Sequence, residues 1–292
     1  MNTVSHPSYT HAPNAWVTVN GRQLAYRSVG QGQPLVLCMR FRGTMDAWDP
    51  AFIDALVAQG YRVITFDYSG LGLSSGTPNY MPTALADDAK ALIDALQLRN
   101  VVLGGWSVGG LAVQVAVAKY ADRISHAFMI GAVPPGPNVR GAEPLFNATA
   151  LKEHNDLEDE VVLFFEPASA ASRAAAARSH ARLALRTEDR CPPVPWAVAT
   201  ATLSPVPRVP LFPADALLPA LQHTRVPLLH LGGDHDIAFP VENWYAVQAS
   251  MPTLQLVTLP QAGHGPHHQY PELAAQYIGA FVKATSRQGA ST

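Results

Sequence analysis

From residue 34 onward, short apolar runs alternate with longer stretches of helical periodicity, and this alternation restricts the chain to few architectures. Leu35, Val36, Leu37 and Cys38 form the first run, and a helical pattern covers residues 51–59. Residues 62–66, 101–103 and 124–130 repeat the apolar signal, separated by helical patterns over 82–98 and from Gly110 to about Tyr120. The runs are continuously apolar rather than alternating, as expected of strands covered on both faces. Strands spaced by helices pair in parallel, because a parallel neighbour needs a crossover. The expectation is an α/β chain with a mostly parallel central sheet and helices on both faces. Ahead of it, residues 15–19 and 22–27 flank Asn20-Gly21, a hairpin signal.

The rhythm stops at Val133-Pro134-Pro135-Gly136-Pro137. Residues 157–165 and 168–186 read as helices. Residues 192–219 hold eight prolines, which excludes a central strand or a long helix there. Strand signals return at 226–231 and 254–259, each followed by a helical pattern. The expected organisation is a core of residues 1–132 and 224–292, interrupted by a mainly helical, proline-rich insertion over 133–223.

Composition narrows the partners. The chain is 48% hydrophobic and 14% charged, unlike a disordered chain, and its formal charge of −2 argues against nucleic acid. No run of 18 apolar residues suggests a membrane span, and the first sixteen residues lack the apolar stretch of a secretory leader, so a cytoplasmic location is expected. The two cysteines, Cys38 and Cys191, make no C-x-x-C pair, and Cys38 reads as a small buried hydrophobe.

The sharpest motif is Gly105-Trp106-Ser107-Val108-Gly109, a G-x-S-x-G pentapeptide between a strand and a helix. A tight turn there lifts a serine hydroxyl clear of the sheet edge, and the helix start offers free N–H groups to a developing oxyanion. A glycine-rich turn without chemistry is the plainer alternative. A serine needs a base, and the base needs a group that fixes its tautomer. Later in the chain, one strand runs into Gly233-Asp234-His235-Asp236 and the next into Gly263-His264-Gly265. The histidines and acids of these loops (His230, Asp234, His235, Asp236, His264, His267, His268) could instead hold a metal, but ligand spacings such as H-E-x-x-H are missing.

With this Ser, Asp, His order the chain resembles the α/β-hydrolases, in particular the capped esterases, non-haem haloperoxidases and proline iminopeptidase-like proteins. The resemblance covers nearly everything outside the insertion. Asp67, Gly70, Gly72 and Ser74 match the D-x-x-G-x-G-x-S loop of those proteins and imply a structural turn. The family spacing G-x-x-D-x-x-x-P is met by Gly233, Asp236 and Pro240, which implies Asp236 as the acid and leaves Asp234 to the turn. The A-G-H-G setting implies His264 as the base, with His267 and His268 flanking the cleft or solvent. The insertion enters where the family carries a cap above the nucleophile.

One departure stands out. The His-Gly pair that usually ends the first central strand is replaced by Met39-Arg40, so the implied oxyanion donors are the N–H groups of Phe41 and Val108. Arg40 and Arg42 then have two readings: a guanidinium that meets a substrate carboxylate or carbonyl, or a surface salt bridge to Asp46, Asp49 or another acid nearby. Trp106 and Trp196 are candidate substrate contacts together with Arg40. Phe146, Leu163, Phe164, Phe165 and Phe212 are candidate cap residues around the pocket, and Trp48 divides between pocket and packing. Arg178, Arg182 and Arg186 read as a solvated stripe.

The implied activity is hydrolysis of a carboxylic ester or lactone of a small to medium, largely apolar substrate, with no cofactor. Epoxide and haloalkane hydrolysis are disfavoured, since those relatives carry an aspartate where Ser107 stands. Amide or peptide cleavage, perhydrolysis and C–C bond hydrolysis would use the same three residues, and a slow-turnover ligand-binding module is the alternative of another class. Homo-oligomerisation is left open.

Overall fold

The computed structural model describes residues 8–203 and 214–286. Eight strands form one sheet in the order β1-β2-β4-β3-β5-β6-β7-β8. They are β1 (Ala15–Val19), β2 (Arg22–Val29), β3 (Gln33–Cys38), β4 (Tyr61–Phe66), β5 (Val101–Trp106), β6 (Ile124–Ile130), β7 (Leu228–Gly233) and β8 (Leu254–Leu259). The hairpin β1–β2 and the β2–β4 pair are antiparallel, and every pairing from β4 through β3 to β8 is parallel. Asn20 and Gly21 both take positive φ, 46° and 78°, the conformation a two-residue hairpin turn requires.

The continuous apolar runs have their expected consequence: every residue of β5 and of β7 is buried. Helices α1 (Pro50–Ala58), α2 (Pro82–Ala95), α3 (Val108–Lys119), α9 (Glu242–Val247), α10 (Pro266–Gln269) and α11 (Pro271–Ser286) complete this part. α2 ends three residues earlier than its apolar pattern suggests. Gln97 turns to φ 53° and the Leu98 N–H bonds back to Ile93 O at 2.9 Å, a left-handed cap that stops the helix.

Between β6 and β7 lie α4 (Pro144–Ala150), α5 (Leu157–Phe164), α6 (Ala170–Leu183), α7 (Trp196–Leu203) and α8 (Ala214–His223), with no strand among the described residues. The proline-rich stretch thus carries two short helices, and Pro219 sits inside α8. The candidate Phe212 lies outside the described residues.

The expected solvated stripe of Arg178, Arg182 and Arg186 is corrected at two of its three positions, and Arg186 lies past the end of α6. Arg178 is exposed, but Arg182 donates to both carboxylate oxygens of the fully buried Asp49, at 2.8 and 2.5 Å. Arg186 is buried and donates to Thr10 O and Ala12 O at 3.0 and 2.9 Å. Docking of α6 and the residues just after it on the core turns both side chains inward, and the charges survive there because each finds acceptors. Among the described residues, no helix is long and apolar enough to cross a membrane.

Candidate active site

β5 delivers Ser107 at its C-terminal end, and the serine sits at φ 58° and ψ −123°, a backbone conformation that costs energy for any residue with a side chain. The flanking glycines explain how the turn closes. A Cβ on Gly105 would lie 2.3 Å from Gly109 O, and one on Gly109 would lie 2.1 Å from Cys38 O. Both contacts are far inside van der Waals distance, so only glycine lets β5, α3 and the end of β3 approach this closely. Beyond the serine, the N–H groups of Val108 and Gly109 open α3 without a backbone acceptor among the described residues, and the Phe41 N–H likewise makes no backbone hydrogen bond to them.

The loops after β7 and β8 supply the ionisable groups. Asp236 Oδ2 and His264 Nδ1 are 2.9 Å apart, both side chains only 1% exposed. Asp236 Oδ1 accepts the N–H groups of Ala238 and Phe239, each at 2.8 Å. Burial alone would raise the Asp236 pKa. The charge and hydrogen bond of His264, with those two N–H groups, outweigh burial and hold the carboxyl below its ordinary value. An ionised carboxylate at Nδ1 keeps the proton on that nitrogen and leaves Nε2 as the basic one. Trp106 Nε1 donates to His264 O at 2.8 Å, fixing the loop from behind.

Asp234 points elsewhere: its Oδ1 pairs with His235 Nδ1 at 2.7 Å and accepts the Ala262 N–H at 3.2 Å, tying the two loops together. In the turn after β4, Asp67 accepts the N–H groups of Met45 and Leu73, and Ser74 Oγ donates to Asp67 O, so that loop is a structural brace.

Ser107 and His264 line one cavity of about 450 Å³, within the usual range for a small-molecule site, while Asp236 sits behind the imidazole. His264 Nε2 has no hydrogen-bond partner among the described residues, so the contact with the Ser107 hydroxyl is not made in this state. Catalytic hydrogen bonds often tighten only when substrate is bound. Phe41, Val108, Arg40, Phe146, Leu163 and Phe164 also line the cavity.

Several expectations need correction. Trp106 and Trp196 do not line the cavity: Trp106 is fully buried behind it, and Trp196 stacks on Arg42, whose guanidinium carbon is 4.9 Å from the ring centre. Phe165 and Trp48 are buried away from it. Neither Arg40 nor Arg42 forms the expected surface salt bridge. Asp46 pairs with Arg27 at 2.6 Å and Asp49 with Arg182, so those acids are already engaged. Arg42 instead donates to Ala150 O, Lys152 O and Glu153 O at 3.0, 2.7 and 2.7 Å, gathering the carbonyls at the end of α4.

His267 and His268 flank neither cleft nor solvent. Both are buried, and His267 packs its ring against Trp48, Phe52 and Trp106 with neither nitrogen hydrogen-bonded. His268 Nδ1 meets Ser179 Oγ at 3.0 Å, and Ser179 also donates to Asp49. Among the described residues, no group of three His, Cys, Asp or Glu side chains is arranged to hold a metal ion.

Among the cavity residues that escaped sequence reasoning, Phe239, Tyr80 and Glu160 bear on the chemistry. Phe239 packs its ring 5.4 Å from that of His264, and its place three residues after Asp236 was an available signal. Tyr80 accepts the Arg42 N–H at 3.2 Å and meets Phe41 edge-on, and Glu160 lines the wall from α5. Nothing local to either residue marks it.

Comparisons with known proteins agree with this fold. Residues 33–271 match a family model described as alpha/beta hydrolase fold. An alpha/beta hydrolase fold protein from Chitinophaga pinensis superposes with a TM-score of 0.81 at 29% identity, covering 94% of this chain and 99% of that one. The candidate non-heme bromoperoxidase BpoC of Mycobacterium tuberculosis is 26% identical over 260 residues, 85% of this chain and 93% of that protein. A non-heme haloperoxidase of Rhodococcus erythropolis is 37% identical over 118 residues, 40% of this chain and 43% of its own.

Proposed function

Because the chain belongs to the alpha/beta hydrolase fold family, we propose that it is a serine hydrolase cleaving a carboxylic ester or lactone of a small to medium substrate. One observation carries this reading: the buried Asp236–His264 pair at 2.9 Å, opening on the same cavity as a serine held in a strained elbow.

In the proposed cycle the Ser107 hydroxyl turns toward His264 Nε2, which takes its proton as Oγ attacks the acyl carbon. Charge on the former carbonyl oxygen is met by the N–H groups of Phe41 and Val108, which have no competing backbone acceptor among the described residues. The C–O bond to the leaving alcohol breaks, and that oxygen receives the proton from Nε2. Water then attacks the acyl-enzyme, giving its proton to Nε2. The acid departs and Ser107 recovers its hydrogen. Asp236 stays ionised throughout and stabilises the imidazolium.

We assign residues 133–223 to a cap over this cavity. Its residues Phe146, Leu163 and Phe164 supply apolar wall, and Phe164 O accepts the Gly265 N–H at 2.7 Å, next to the base. A wall of this kind limits water and favours an apolar acyl or alcohol group.

Turnover of p-nitrophenyl acetate and butyrate tests the proposal. The wild-type chain should release p-nitrophenol steadily and Ser107→Ala should not; equal rates from the two proteins would reject it. A second reading, perhydrolysis, draws on the haloperoxidase named among the relatives. Hydrogen peroxide would then replace water at the acyl-enzyme and leave as a peracid, which peroxide added to the same assay would reveal.

A further inference from the structure

Arg40 lies two residues past the end of β3, and its guanidinium rests against a pair of touching aromatic rings, 5.0 Å from the ring centre of Trp106 and 4.6 Å from that of Phe164. Its hydrogen bonding is nearly empty. Nη1 donates to Phe41 O at 2.8 Å, while Nε is buried without a partner among the described residues. A guanidinium presents five N–H donors in a planar fork that suits a carboxylate. No acid of the described residues lies within 4.0 Å of it.

The acids nearby are committed elsewhere. Asp46 is held by Arg27 at 2.6 Å, and Asp49 by Arg182 at 2.5 Å. Glu160 shares the cavity wall and its charge reaches Arg40, but it makes no contact with the guanidinium and its hydrogen bond goes to His180 Nδ1 at 2.9 Å. Burial pulls the Arg40 pKa down to about 10, which still leaves it charged near neutral pH. With Arg42 on the same wall, the cavity carries two cations against one carboxylate. Leaving a buried charge unpaired is unfavourable, and a ligand that brings the missing anion relieves it.

We propose that Arg40 makes this enzyme selective for substrates bearing a free carboxylate, the simplest being half-esters of short dicarboxylic acids. The proposal rests on the serine-hydrolase reading above and adds the substrate class to it. Arg40 and Ser107 line the same cavity of about 450 Å³, so the carboxylate and the acyl carbon lie within a span on the order of 10 Å. Trp106 and Phe164 cover one side of the guanidinium and shield an ion pair there from water, which strengthens it.

The test compares kcat/KM for mono-p-nitrophenyl glutarate with that for p-nitrophenyl butyrate, in the wild-type chain, Arg40→Lys and Arg40→Met. The wild type should favour the anionic ester by about tenfold or more, the size of one good charged contact. The anionic-to-neutral ratio should fall in Arg40→Lys and approach one in Arg40→Met. A wild-type ratio near one, or a ratio unmoved by either substitution, overturns the proposal; the latter would make Arg40 a support of the oxyanion loop.

Should Arg40→Met fail to fold, the wild-type ratio and Arg40→Lys decide the matter. Turnover of butyrate without anionic preference removes the proposal and leaves the serine-hydrolase reading standing. Turnover of neither ester removes that reading. Calorimetric titration of the wild type with glutarate itself then decides: binding weakened by Arg40→Lys supports the anion site, and no binding rejects it.

Discussion

Replacing Asp236 with asparagine changes one atom and should disable the proposed base. Oδ1 accepts the N–H groups of Ala238 and Phe239, each at 2.8 Å, and Oδ2 faces His264 Nδ1 at 2.9 Å. In Asp236→Asn the amide oxygen must stay with the two N–H donors, since an NH2 group there would meet them donor to donor. The NH2 group is therefore directed at His264 Nδ1. That nitrogen must become an acceptor, and its proton moves to Nε2. A protonated Nε2 cannot take the Ser107 proton.

Loss of the correct tautomer together with the carboxylate charge corresponds to about 10⁴-fold in kcat, or about 5.5 kcal/mol of transition-state stabilisation. The assay is kcat for p-nitrophenyl butyrate, with circular dichroism confirming that the variant is folded. Asp234→Asn is the internal control: Asp234 ties loops through His235 and Ala262 and should change kcat by only a few fold. A loss below tenfold for Asp236→Asn, or an equal loss at Asp234, would refute the reasoning.

Three further outcomes follow from the same contacts. Asp49→Ala strands the guanidinium of Arg182 and removes the N-cap of α1; it should cost about 3–5 kcal/mol and lower Tm by about 10 °C in a calorimetric scan, and a shift of only a degree or two would contradict the pairing. Burial pushes His230 down to about 3, His268 to about 4 and His267 well below the ordinary imidazole value. The unfolded chain therefore binds protons that the folded one refuses, and stability falls as pH drops below about 6.5, by about 1.4 kcal/mol per pH unit for each such histidine. Asp236 has the opposite sense: its lowered pKa contributes stability above the ordinary carboxyl range, lost only as pH falls through the folded value. Urea midpoints at pH 7.5, 6 and 5 should show the histidine slope, and a flat profile would rule it out. Arg42→Ala releases the carbonyls of Ala150, Lys152 and Glu153; amides around residues 147–155 should exchange with solvent faster by hydrogen-exchange mass spectrometry while those of β5 stay protected, and unchanged exchange in that segment would contradict the clamp.

The features readable in the sequence are those fixed by local chemistry. Asn20-Gly21 dictates its turn because few residues accept consecutive positive φ. The apolar runs dictate buried parallel strands, and Gly105 and Gly109 mark a place where three backbone segments crowd together. Features set by docking were misread. Arg182 and Arg186 look like a surface stripe along one helix, and only the approach of α6 to Asp49 and to the chain near Thr10 shows their acceptors. His267 and His268 follow a loop that suggests exposure, yet Trp48, Phe52 and Trp106, from distant parts of the chain, close around His267. Trp106 adjoins Ser107 and so suggests a pocket residue, but β5 ends between them at a sharp turn, and the indole braces His264 from behind.

The central claim, that the oxygen at position 107 is the attacking nucleophile, is tested most directly by trapping it. Exposure to a fluorophosphonate followed by peptide mass mapping should place one phosphonyl group per chain on Ser107, with ester turnover lost in proportion. Labelling at another residue, or full inactivation with Ser107 unmodified, would contradict the account.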